Sequence, residues 1–141
     1  MMLLSVMLFS SACAKDTNIT KVFQAARKLH LQFNDGNFHD IYAEADPKFR
    51  ESISEDAFIA KLDKLRQTHG RIQQSSLMGF EASTWWQRHF PNLKPVRFVG
   101  FYNHCEQDGF QEFMDWDVRG GEPKLLRYEN DIESMNSNRR S

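Results

Sequence analysis

The chain predicts an α+β domain, with helices in its first half and an antiparallel sheet in its second. Three observations carry that reading. Apolar residues recur at helical spacing as far as Gly70. After Gly70 the repeat becomes alternation, the mark of half-buried strands. Turn-forming runs, Gln107-Asp108-Gly109 and Gly120-Gly121-Glu122-Pro123, then cut that half into hairpin lengths.

The first helix is read from Ile19, Val22, Phe23, Ala26, Leu29, His30 and Phe33, with Thr17 or Thr20 as its cap and Gly36 as its stop. Asn37 can cap a second, shorter helix carrying Phe38, Ile41, Tyr42 and Ala45. Asp46-Pro47 ends it, because the residue before proline avoids helical geometry. Ser54 is a natural cap for a third helix. Glu55 and Asp56 suit its positive N-terminal end, Phe58, Leu62 and Leu65 form its stripe, and Gly70 closes it. Strands are expected at Ile72–Phe80, Val96–Glu106, Phe110–Val118 and Lys124–Glu133. Thr84–Phe90 is rich in β-formers, but Pro91 and Pro95 bracket a loop after it.

Composition narrows the function classes. The chain has 141 residues, 40% of them hydrophobic and 13% aromatic, enough for one domain with a core that needs no metal or disulfide. With 18 basic and 19 acidic side chains the formal net charge is -1. That balance leaves no footprint for nucleic acid and no polybasic membrane face. The two cysteines, Cys13 and Cys105, do not suggest a disulfide framework.

Residues 1–14 read as a leader. Met1–Phe9 has the length of a signal-peptide apolar segment and is too short to cross a bilayer. Ser10-Ser11-Ala12-Cys13 resembles the lipobox of bacterial lipoproteins, which implies lipidation of Cys13 and a membrane anchor. For a diderm lipoprotein, the resemblance with Ala14 after the cysteine, and no acidic residue there, implies the periplasmic face of the outer membrane, or otherwise the cell envelope. Ser10 stands where lipoboxes usually carry Leu, and no Lys or Arg precedes the apolar run. The alternatives are therefore a cleaved secretory signal, and an uncleaved apolar arm or a start site other than Met1. Acylation of Cys13 predicts partition into detergent; a soluble chain still carrying Met1 would exclude it. Residues 19–133 form the expected single domain and 134–141 a polar tail.

The order of elements carries a second resemblance. A helix, Asp35-Gly36-Asn37-Phe38, a short helix with Tyr42, Phe49-Arg50, a Ser54-capped helix, Gly70 and long aromatic hairpins together resemble the nuclear-transport-factor-two-like (cystatin-like) superfamily. Within it, the likeness is to small bacterial exported proteins and lipoproteins of unknown function. The resemblance covers Ile19 to Ile132 and implies helices packed on a curved sheet, forming a cone whose interior holds a pocket in some members. It does not imply an activity, since one fold hosts many functions.

Enzymes of that superfamily place an acid, His or Tyr inside the cone, so the strands are where candidates are sought. Tyr102, His104 and Glu106 share one strand parity, and Phe110, Glu112, Met114, Trp116 and Val118 share another. His104 facing Glu112 within apolar walls would suit general acid–base work. The alternative is a partly solvated cross-strand pair near the hairpin end. Asp115 and Asp117 read as the solvent face of their strand, with Arg97 as a neighbouring partner. The histidines at 30, 39, 69, 89 and 104 lack metal-ligand spacing, so neither a metal site nor a cofactor is expected. Cys105 reads as a small hydrophobe in the sheet.

The aromatic excess favours binding over catalysis. Trp85, Trp86, Tyr102 and Trp116 are the candidates for contacting a small apolar ligand or a partner protein. The expected function is therefore an exported, lipid-anchored, non-enzymatic binding domain. The rivals are a pocket enzyme of isomerase or hydrolase type, and a homodimer joined through the sheet's outer face.

Overall fold

The computed structural model describes residues 17–82, 89 and 96–131. The order is α1 (Thr17–Asp35), α2 (Phe38–Glu44), α3 (Pro47–Ser52), α4 (Glu55–His69), β1 (Ile72–Ala82), β2 (Val96–Cys105), β3 (Gly109–Asp117) and β4 (Lys124–Asn130). The strands form an antiparallel meander in the order β1-β2-β3-β4, and the helices pack on one of its faces. No helix among the described residues is long and apolar enough to cross a membrane.

Local chemistry sets the helix ends. Ser54 accepts from the Ala57 N–H and caps α4, and Glu55 and Asp56 occupy its first turn as expected. Gly70 closes α4 at φ +81°, where a Cβ would lie 2.9 Å from that of Glu106, so only glycine fits without displacement. Asn37 precedes α2 without a side-chain cap. Asp46-Pro47 ends α2 and also begins α3: Asp46 accepts from the Lys48 N–H at 2.9 Å, and Pro47 takes the first helical turn. Proline is at home there because its missing N–H would have no helical partner.

Strand parity separates core from surface. Glu112 lies opposite Phe101, Met114 opposite Val99 and Tyr128 opposite Met114, all on the helix-facing side. Aromatic contacts tie the helices to this side. Phe23 meets Phe80, Phe33 meets Phe110, and Phe58 meets Tyr128 with ring centroids 6.0 Å apart. The outer face carries Tyr102, His104 and a stacked Phe98–Phe113 pair. Phe113, which breaks the alternation of its strand, is thereby accounted for. Register shifts at Leu77/Gly79 and Asp115/Trp116 add local twist.

Asp115 and Asp117 depart from the expectation of a wet face. Both are buried, Asp115 bonded by Arg127 Nε at 2.6 Å and Asp117 by Arg119 through its backbone N–H and guanidinium. Burial acts to raise the carboxyl pKa of Asp117. The hydrogen bonds and charge of Arg119 outweigh it and hold that pKa below its ordinary value of 3.8. A depressed native pKa stabilises the fold fully above the unfolded value, and this contribution is lost as pH falls through the native one. Asp117→Asn is therefore expected to flatten part of the acid limb of stability, read from thermal melts between about pH 2 and pH 6. An acid limb identical to wild type would contradict this.

Candidate functional site

The apolar stripe of α1 carries one polar residue, His30, between Leu29 and Phe33. Helical spacing aims it at the sheet, where it meets the Phe101 ring edge-on at 5.3 Å. Its Nε2 is hydrogen-bonded to Glu112 Oε1, and the Tyr128 hydroxyl donates to Glu112 Oε2 at 2.9 Å. Only 1% of the Glu112 side chain and 10% of the His30 side chain is exposed. A carboxyl group this deep is tolerable only because both oxygens have partners.

The array continues toward solvent. His30 Nδ1 lies 3.1 Å from Ser75 Oγ, and Ser75 Oγ lies 2.7 Å from Asn103 Oδ1. The chain Tyr128–Glu112–His30–Ser75–Asn103 thus draws on α1 and all four strands. Asn103 is fully buried and its Nδ2 has no hydrogen-bond partner among the described residues. With Oδ1 toward Ser75, the amide accepts the Ser75 proton. Turned over, Nδ2 donates to Ser75 Oγ and releases that proton toward His30 Nδ1.

Ser75 and His30 open into a cavity of about 490 Å³ between α1 and the β1–β2 pair. Phe23, Leu31, Ile72, Leu77 and Phe101 supply apolar walls, and Arg27 and Asn34 also line it. Leu31 and Leu77 are 56% and 46% exposed, so two large apolar side chains at this cavity remain open to water. Asn34 is already committed, bonding the Ile72 N–H through Oδ1 and the Ile72 carbonyl through Nδ2. It ties α1 to the start of β1 and fixes the width of the cavity at that end.

The expected site residues separate. Glu112 lies at the centre of the array, but His104 does not face it. His104 sits opposite Gly109 on the outer face, exposed, with its ring 4.8 Å from that of Tyr102. The reason is parity: Phe101 and Asn103 point inward on β2, so Tyr102 and His104 point outward. Trp116 is buried and borders a second cavity of about 480 Å³ with Lys21, Lys28 and Glu44. Cys13, Trp85 and Trp86 lie outside the described residues.

His30, Ser75, Asn103 and Tyr128 were not singled out by sequence reasoning. His30 and Tyr128 stand on apolar stripes, and a polar group there was the available signal. Ser75 had none, because a strand serine says nothing until its neighbours are known.

Cys105 is buried beside Asn103, and its sulfur hydrogen contacts the Asn103 carbonyl oxygen. Burial first, then the charges of Asp108, Glu112 and Glu106, push its thiol pKa up to about 11. It is a small core residue, as expected, and too protonated at neutral pH for nucleophilic work. No group of three or more His, Cys, Asp or Glu that could hold a metal occurs among the described residues. Comparison of the chain with protein-family models, with curated proteins and with solved structures gives no match.

Proposed function

We propose that this domain binds a small amphipathic molecule in the cavity between α1 and β1–β2. The observation that supports it most is the pairing of exposed apolar walls with a buried polar floor. Leu31, Leu77 and Phe23 would hold the ligand's apolar body, while Ser75 and His30 would hydrogen-bond its head. The volume falls within the range of small-molecule sites. The polar array also argues for ligand binding over a purely structural role, since an apolar core would be simpler to fold. Placement of the domain at the cell envelope, by the leader ending at Cys13, belongs to the same proposal and suits capture of a sparingly soluble molecule.

Octanamide is a suitable probe, with a heptyl chain as its apolar body and a hydrogen-bonding carboxamide head. Titration is expected to shift the His30 imidazole resonances saturably, with one site per chain. Leu77→Asp and Leu31→Asp place charge on walls that are already exposed, so the fold is kept. Each is expected to weaken binding by about tenfold or more, the equivalent of 1.4 kcal/mol. No saturable shift, or full affinity in both variants, would refute the proposal.

A further inference from the structure

We infer that Ser75 is an acyl-transfer nucleophile, with His30 as its base and Glu112 as the residue that positions that base; this rests on the ligand-binding reading of the same cavity. Three independent features meet at Ser75. Its Oγ is 3.1 Å from His30 Nδ1, within reach for proton transfer. The opposite ring nitrogen, Nε2, is held by a carboxyl group with 1% exposure, itself held by Tyr128. Ser75 lines a cavity large enough for a substrate and open to water. A nucleophile, a base in contact with it, and a third group orienting the base make up the hydrolytic triad arrangement. The ring is used in the sense opposite to the serine-protease template, with Nδ1 toward the serine. Imidazole moves a proton through either nitrogen, so the chemistry is unchanged.

The amide of Asn103 sets which state the serine occupies. With Oδ1 toward Ser75, the hydroxyl proton is drawn away from His30. In the turned orientation, Nδ2 gains a partner, which it lacks among the described residues, and the Ser75 proton faces the Nδ1 lone pair. The second arrangement is the reactive one: Nε2–H donates to the Glu112 carboxylate and Nδ1 is free to accept.

The substrate class follows from the walls. An ester with a short apolar acyl group fits among Leu31, Leu77 and Phe101; Arg27 lines the same cavity, and its guanidinium would serve as a partner for the carbonyl oxygen. Ser75 Oγ attacks the carbonyl carbon and forms a C–O bond while its proton passes to His30 Nδ1. The tetrahedral adduct collapses, the bond to the alkoxy oxygen breaks, and Nδ1 returns the proton to that oxygen, so an alcohol leaves. Water then attacks the Ser75 ester in the same way. It gives its proton to Nδ1, the Ser75 C–O bond breaks, the proton returns to Oγ, and a carboxylic acid is released. No oxidant, reductant or metal enters the balance.

The test is reaction of the full chain with an alkyl fluorophosphonate, followed by intact mass and peptide mapping. One phosphonyl group is expected on Ser75 with loss of fluoride, and Ser75→Ala is expected to block it. His30→Gln, which keeps a polar side chain, is expected to slow labelling by about 100-fold or more, the range for loss of a general base. Glu112→Gln is expected to slow it and to change the shape of its pH–rate profile, which a merely structural role would not do. Prior saturation with octanamide should protect Ser75. An unlabelled Ser75 in the wild-type chain overturns the inference, as does labelling that is undiminished in His30→Gln. Octanamide binding without phosphonylation overturns acyl transfer alone and leaves the ligand site standing. Loss of both refutes both.

Discussion

Glu112→Ala is expected to lower the free energy of unfolding by about 3–5 kcal/mol, the usual cost of removing one partner of a buried charged network. The substitution removes the carboxyl group that the Tyr128 hydroxyl and His30 Nε2 both bond, at a position 1% exposed. Glu112→Gln keeps the shape and one accepting oxygen, so it is expected to cost less, about 1–3 kcal/mol. The informative comparison is the triple variant His30→Leu, Glu112→Met, Tyr128→Phe. Replacing a whole buried polar set with apolar side chains of similar size is often neutral or stabilising. The triple variant is therefore expected to unfold no more readily than wild type in urea, while losing octanamide binding. Stability near that of Glu112→Ala would show that the array supports the fold in its own right.

Phe58→Ala is the second large effect. Phe58 is 1% exposed and joins α4 to the rest of the core through Phe49, Tyr42 and Tyr128, with ring centroids 5.0, 6.1 and 6.0 Å away. Loss of a buried phenylalanine costs about 3–5 kcal/mol, through lost transfer free energy and the void left behind. Chemical denaturation measures it, with the midpoint falling and the denaturant slope unchanged. Phe58 meets the polar array at Tyr128, the end away from the cavity between α1 and β1–β2, so octanamide affinity of the folded fraction is expected to stay within about threefold of wild type. A parallel loss of affinity would mean that the two regions are coupled. A cost below about 1 kcal/mol would mean that the ring cluster collapses around the deletion.

The architecture was largely legible because its determinants are local. Ser54, Gly70 and the alternation of Phe110, Met114 and Trp116 each act within a few residues, and each appears where the sequence places it. Asp46-Pro47 was half legible. The pair was read as a stop, but Asp46 caps a following helix that Pro47 starts, because a proline signal serves both ends of a break. Asp115 and Asp117 misled for a different reason. Strand alternation gives them the parity opposite Met114 and Trp116, but does not reveal that Arg127 and Arg119 cover them. The site was the least legible part. Glu112 was found on its own strand, but its partner was sought on the adjacent strand and lies 82 residues away on α1. Such a pairing depends on how helix and sheet are packed, and spacing along the chain does not encode it.

The position of β1 at the end of the described sheet has a kinetic consequence. Ser75 and Leu77 belong to a strand whose described ladder lies on one side, against β2, and that ladder is interrupted by two register shifts. A strand held in this way opens at lower free-energy cost than a central one, so its amides should exchange with deuterium ahead of those of β2 and β3. The same opening widens the cavity. On the proposed ligand-binding reading, residence time would be governed by how often β1 loosens, and a substitution that stiffens this strand would lengthen occupancy without touching the ligand.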